Sequence, residues 1–139
     1  MTRLVVDTGP LVAWLNARER HHAWIRELLA EVDPPLLTCE AVVSEACFLL
    51  RGQQDGPAAV IALVERGVLD PIFRLAGEED AIGNLMRKYA AVPMSFADAC
   101  LVRMTELDPK ATIVTLDADF AIYRRHGRQV VPTIMPRRG

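Results

Sequence analysis

The chain is 139 residues long, 51% hydrophobic and 24% charged, with a net charge of −2. That balance belongs to a soluble globular protein and excludes a disordered chain, and the length allows roughly two thirds of the unfolded surface to be buried without disulfides or structural metal. The longest uninterrupted apolar run, Ala58 to Val64, is far too short to span a bilayer.

Particular residue types narrow the field further. Met1-Thr2-Arg3 leads directly into a strand-like run, so no signal peptide is expected and the protein is assigned to the cytoplasm. Cys39, Cys47 and Cys100 are odd in number, widely spaced and without a CxxC pair, as expected of reduced, buried thiols. His21, His22 and His126 lack the spacing of a zinc site. The charge is uneven: Arg124, Arg125, Arg128, Arg137 and Arg138 fall between Phe120 and Gly139 with no acid among them, a cluster able to meet phosphate.

Taken in order, Leu4-Val5-Val6 reads as a buried strand. Asp7 follows, and then a helix from Pro10 to about Asn16, with Thr8 or Gly9 as its N-cap and Pro10 suited to the first helical position. Trp24, Ile25, Leu28, Leu29 and Val32 repeat at helical spacing until Pro34-Pro35 stops them. Leu36-Leu37-Thr38 is a short strand, and Glu40 to Arg51 a helix. Gly52 to Asp55 is a turn, and Ala58 to Arg66 a helix closed by Gly67. Val68-Leu69 and Ile72-Phe73 flank Pro71, which argues for an edge strand. Glu78, Glu79 and Asp80 open a helix whose Ala81, Ile82, Leu85, Met86 and Tyr89 face the core, the acids serving its dipole and facing solvent. Ser95 opens the helix bearing Asp98, with Cys100, Leu101, Met104 and Leu107 inward. Ala111 to Leu116 is a β-branched strand, followed by Asp117 and a helix from about Ala118 to Arg124. Val130-Val131 adds a final short strand. No repeat, low-complexity segment or linker interrupts residues 1–139, so a single domain is expected.

Four acids stand out against this frame. Asp7 and Asp117 follow strands, where open α/β sheets bind ligands, although each also suits an N-cap. Asp98 lies three residues after Ser95, the spacing of a capping box, and a first-turn carboxylate kept ionised by the helix dipole still offers an oxygen to a cation. Glu45 projects roughly 120° from the polar centre of its helix, on the flank of the apolar face, so partial burial is expected. Asp119 adds a further carboxylate.

Alternation of strands and helices predicts an α/β protein with a mostly parallel central sheet covered by helices on both faces. One edge of such a sheet would collect the four acids. Two carboxylates about 4 Å apart repel by about 4 kcal/mol at an effective dielectric near 20, which calls for a counter-cation. Oxygen-only ligands select Mg2+ or Mn2+, and a cation with open water positions suits phosphodiester hydrolysis.

Leu4-Val5-Val6-Asp7-Thr8-Gly9, Glu45 within its helix, Ser95-Phe96-Ala97-Asp98-Ala99 and Thr115-Leu116-Asp117-Ala118-Asp119-Phe120 resemble the successive motifs of PIN-domain nucleases. Order, spacing and length are most similar to the VapC-like ribonuclease toxins of toxin–antitoxin pairs. The resemblance covers essentially the whole chain and implies a three-layer PIN-like fold and a Mg2+- or Mn2+-dependent endoribonuclease, commonly dimeric. It further implies action on structured RNA and neutralisation by a cognate antitoxin. Carried over, Asp7 and Asp98 match the main metal-binding acids, Glu45 and Asp117 complete the site, and Asp119 matches an acid of variable role. Thr8-Gly9-Pro10 departs from the family's usual small polar residue and alanine after the first acid, which bears on the local turn.

Two alternatives stay open: a catalytically silent binding module of the same fold, and a receiver-like phosphoryl-transfer domain, for which no lysine follows a late strand. The apolar content of Trp24 to Val32 and Ala41 to Leu50 leads us to expect a homodimer and a groove for an apolar antitoxin segment, with ordinary core as the competing reading. Arg124, Arg125 and Arg128 are the expected contacts to the RNA backbone.

Overall fold

A computed structural model describes residues 2–137. In chain order it contains β1 (Arg3–Val6), α1 (Thr8–Leu15), α2 (His22–Ala30), β2 (Leu36–Cys39), α3 (Glu40–Leu49), α4 (Gly56–Glu65), β3 (Leu69–Phe73), α5 (Glu79–Lys88), α6 (Phe96–Leu107), β4 (Ala111–Val114), a 3-10 turn (Ala118–Ala121), β5 (Arg124–Arg125), β6 (Gln129–Val130) and β7 (Thr133–Ile134). Five strands form one parallel sheet in the order β3-β2-β1-β4-β7. The helices flank it, with α1 packed on α2 and α3, α3 on α4, and α5 on α6.

The strand order carries the functional consequence. From β1 the chain winds outward through β2 to β3, then returns to the other side of β1 for β4, which pairs in register from Arg3 opposite Ala111 to Val6 opposite Val114. The winding therefore reverses between β1 and β4, where connections diverge and open a crevice beyond the carboxyl ends of the strands. Asp7 and Asp117 both follow these two strands. Val5, Val6, Ile113 and Val114 are almost wholly buried, as expected of strands covered on both faces. Pro71 lies on β3, an edge strand, as its missing N–H requires.

Several boundaries differ from those expected. Asp7, rather than Thr8 or Gly9, is the N-cap of α1, because its carboxylate accepts the Thr8 N–H; Pro10 is then the third helical residue, still within the turn whose N–H groups lack partners. The helix expected to open at Ala58 begins at Gly56, where the chain passes so close to Leu50 that a Cβ would come within 2.1 Å of its carbonyl oxygen. Glu78 precedes α5 and, instead of facing solvent, pairs with Arg103 at 2.7 Å.

The C-terminal part differs most. The strand expected to reach Leu116 ends at Val114, and the helix expected over Ala118 to Arg124 is a single 3-10 turn. Asp117 takes the Asp119 N–H, Tyr89 Oη takes the Arg124 N–H, and the chain turns into a β5–β6 hairpin instead of propagating a helix. Val130 belongs to that hairpin, while the fifth sheet strand is β7, two residues long and not anticipated. Arg138 lies outside the described residues.

Candidate functional site

Asp7 sits at the end of β1, its own N–H bonded to the Val114 carbonyl at 2.9 Å, so the backbone of two adjacent strands holds it. Its side chain is 8% exposed. Oδ1 accepts the Thr8 N–H and Oδ2 accepts the Thr115 hydroxyl, each at 2.7 Å. Burial nevertheless dominates and pushes the carboxyl up to about 6, with the nearby charges of Asp98 and Asp117 adding to the rise against those hydrogen bonds.

Thr115 ties two acids together. While its hydroxyl donates to Asp7, the same oxygen accepts the Asp117 N–H at 3.0 Å. Asp117 is half-buried and caps the 3-10 turn through the Asp119 N–H at 2.9 Å. Capping engages Oδ1 of Asp117, while both oxygens of Asp7 are engaged.

Asp98 occupies the first turn of α6. Its N–H bonds the Ser95 hydroxyl at 3.0 Å, so the cap expected from the sequence is present. Its carboxylate also faces inward, where Oδ2 accepts the hydroxyl of Tyr123 at 2.7 Å. Burial raises its pKa, opposed by the Tyr123 and Ser95 hydrogen bonds. Tyr123 is itself buried, edge-on to Tyr89 and Phe120 at 5.1 and 5.3 Å between ring centroids. Burial first, and then the hydrogen bond to Asp98 and its charge, push the Tyr123 phenol up and keep it protonated, and therefore a donor.

Glu45 corrects an expectation. It is exposed rather than partly buried, because α3 buries Val42 and Ala46 while the Glu45 side chain looks across open space toward the strand ends. That space is a cleft of about 440 Å3 bordered by Asp7, Thr8, Glu45, Asp98, Asp117 and Asp119, together with Gly9, Leu49, Pro93, Ser95 and Leu116. All five acids singled out in the sequence thus border one cleft. Among the described residues no basic side chain lines it, and no three His, Cys, Asp or Glu groups meet closely enough to grip a metal ion as they stand.

The donor chemistry fits a hard divalent cation, since all the acids offer oxygen and they repel one another without a positive partner. Thr8 Oγ1 points the same way: it is buried, borders the cleft and has no hydrogen-bond partner among the described residues.

Two of the three expected RNA-binding arginines are already engaged. Arg124 gives its guanidinium to the carbonyls of Ala121, Ile122 and Tyr123, and Arg125 bonds the Thr105 carbonyl at 3.1 Å. Arg128 is exposed. Residues that sequence reasoning missed are Thr115, Thr8 and Tyr123. The hydroxyl two places before Asp117 carried a signal for Thr115, whereas Tyr123 acts on Asp98 across 25 residues with no periodicity to reveal it.

A model of the PIN domain family matches residues 4–125. Among curated relatives, Ribonuclease VapC26 of Mycobacterium tuberculosis is 28% identical over 125 residues, covering 88% of each chain. Among solved structures, Mycobacterium tuberculosis VapC20, described as a Sarcin-Ricin loop cleaving toxin, superposes with a TM-score of 0.76. That match covers 86% of this chain and 93% of the other at 23% identity, a likeness of fold.

Proposed function

The chain belongs to the PIN domain family, and from that membership we propose that it is a divalent-metal-dependent endoribonuclease, the toxin of a toxin–antitoxin pair. The observation that carries the reading is the cleft bordered by Asp7, Glu45, Asp98, Asp117 and Asp119 and, among the described residues, by no basic side chain, beyond the strands where the sheet reverses. Asp7, Glu45, Asp98 and Asp117 would hold Mg2+ or Mn2+, with Asp119 in a secondary role. A cation bound there supplies activation of water and neutralisation of the charge that builds on a phosphodiester.

The chain's own groups do the positioning. Thr115 keeps Asp7 and Asp117 in a fixed relation, and Tyr123 turns one oxygen of Asp98 inward. Burial of Asp7 raises the cost of its charge in the free protein, which strengthens its demand for a positive partner. Among the described residues the cleft offers carboxylates and the hydroxyls of Thr8 and Ser95, and the reading assigns the attack to water, with the carboxylates holding the cation.

The names ribonuclease and Sarcin-Ricin loop cleaving toxin support RNA as substrate, and the proposal takes that RNA to be structured and the partner to be a cognate antitoxin. We extend the proposal to a homodimer. Leu49 of α3 and Ile61 of α4 are exposed, whereas Trp24, Leu28 and Leu29 of α2 pack against the core. Incubating purified protein with total RNA and Mg2+ or Mn2+, and mapping the ends produced, tests the activity. Discrete ends that vanish in EDTA are expected; cleavage that survives EDTA overturns the assignment of the acids, and metal binding without any cleavage identifies a silent binding module instead.

A further inference from the structure

Beside the acid cleft lies a second open cleft of about 610 Å3, and the two share Glu45 and Ser95. Phe48 from α3 and Phe96 from the start of α6 stand along it, 59% and 41% exposed. Apart from Glu45, the rest of its lining is small: Ala41, Ser44, Ser95 and Ala97. An open cleft of small residues that carries two exposed aromatic rings suits a flat ring better than a branched side chain. The Arg51 guanidinium lies over one face of Phe48, 3.8 Å from the ring centroid, and gives only Nη1 to the Phe48 carbonyl at 2.7 Å, so it keeps a positive charge with further donors beside that ring.

The acid cleft offers a polyanion no attraction of its own, because among the described residues its border is made of acidic, apolar and small neutral side chains. A strand whose phosphodiester reaches the acids must be gripped through its neighbouring nucleotides. Stacking suits that task, since every base presents a π face and an uncharged base is not repelled by Glu45.

We infer that Phe48 and Phe96 form a nucleobase subsite, which holds the nucleotide adjoining the phosphodiester presented to the acids, with Arg51 facing that nucleotide's phosphate. The inference rests on the ribonuclease reading and adds to it the group of the substrate that is gripped. It commits the exposed aromatic face to single-stranded RNA rather than to a peptide or a second copy of the chain.

The test uses the full chain and a single-stranded oligoribonucleotide containing 2-aminopurine, whose fluorescence falls when it stacks on an aromatic ring. Binding is read in EDTA, so the result does not depend on cleavage. We expect quenching with the parent and affinity losses of about 5- to 100-fold for Phe48→Ala and for Phe96→Ala, with Phe48→Tyr and Phe96→Tyr close to the parent. Absence of quenching with the parent, or unchanged binding in both alanine variants, overturns the subsite. Light scattering that shows the alanine variants dissociating a dimer while quenching persists assigns the face to a second copy and also overturns it. Cleavage is then measured separately with Mn2+. Quenching without cleavage refutes the ribonuclease reading and leaves the subsite standing, whereas cleavage with unaltered binding in the alanine variants does the reverse.

Discussion

Asp98 answers to two partners, the serine that begins its helix and a tyrosine 25 residues away. Helix capping alone predicts that Asp98→Asn, which keeps the shape and the backbone N–H to Ser95, leaves cleavage intact. A metal ligand predicts that cleavage under limiting Mn2+ falls by more than about 100-fold with stability little changed, a loss beyond the 10- to 100-fold typical of a ligand's outer partners. Thr115→Val belongs to that outer class: an isosteric change that removes the donor to Asp7 should raise the Mn2+ needed for half-maximal cleavage by about 10- to 100-fold. Asp7 itself gives a pH prediction. Its folded pKa, about 6, lies above the unfolded value near 3.8, so the folded state holds the proton more tightly. The associated stability, about 3 kcal/mol at most, is present in full below about pH 4 and is lost as pH rises through 6. In EDTA the thermal midpoint should therefore fall across that window more steeply in the parent than in Asp7→Asn, where Asp98, also raised by burial, still contributes, and saturating Mn2+ should diminish the fall. Acids at strand ends and in a first turn were legible from the sequence because each sat beside a local punctuation mark. Thr115 had only its spacing from Asp117 to announce it, and Tyr123 nothing local at all.

Among the elements, α3 and the β5–β6 hairpin teach the most. On α3 the buried face carries Val42 and Ala46, yet Leu49 is exposed, and Glu45, expected to be partly buried at the flank of the apolar face, is exposed at the border of a cleft. Periodicity reports direction around a helix axis, and whether a direction meets protein or solvent depends on elements distant in sequence. The hairpin defeated helix expectation because its two-residue strands are stabilised from outside: Lys88 bonds the Gly127 carbonyl at 3.1 Å and Glu106 takes the His126 N–H at 2.7 Å. Its arginines consequently divide. Arg124→Ala should cost about 1 kcal/mol of stability by removing the donor to three successive carbonyls, with little effect on RNA affinity. Arg128→Ala should instead lower affinity and reduce the slope of log affinity against log salt by about 1, as measured by filter binding over a salt series. The α3–α4 turn is tested by Gly56→Ala. With the Leu50 carbonyl 2.1 Å from the added carbon, backbone must shift, and a loss of about 1–3 kcal/mol is expected in urea unfolding.

At the scale of the whole molecule, the parallel sheet, the edge position of β3 and the order of the main helices could be read from alternation and from Pro71. The place of β7 could not, since two residues carry no period and only their pairing with β4 identifies them as a strand. Light scattering across micromolar concentrations checks the proposed homodimer, a monomer throughout counting against it. The order β3-β2-β1-β4-β7 also has a temporal consequence. A ribosome makes Asp7 and Glu45 early, but the sheet has no strand on the far side of β1 until Ala111 to Val114 emerge. The last strand to clamp β4 ends at Ile134. A nascent chain therefore displays an unpaired flank on β1 and an incomplete set of acids until β4 and the segment after it emerge. On the ribonuclease reading, the ribosome that makes this domain is spared its activity until β4 and β7 have both emerged.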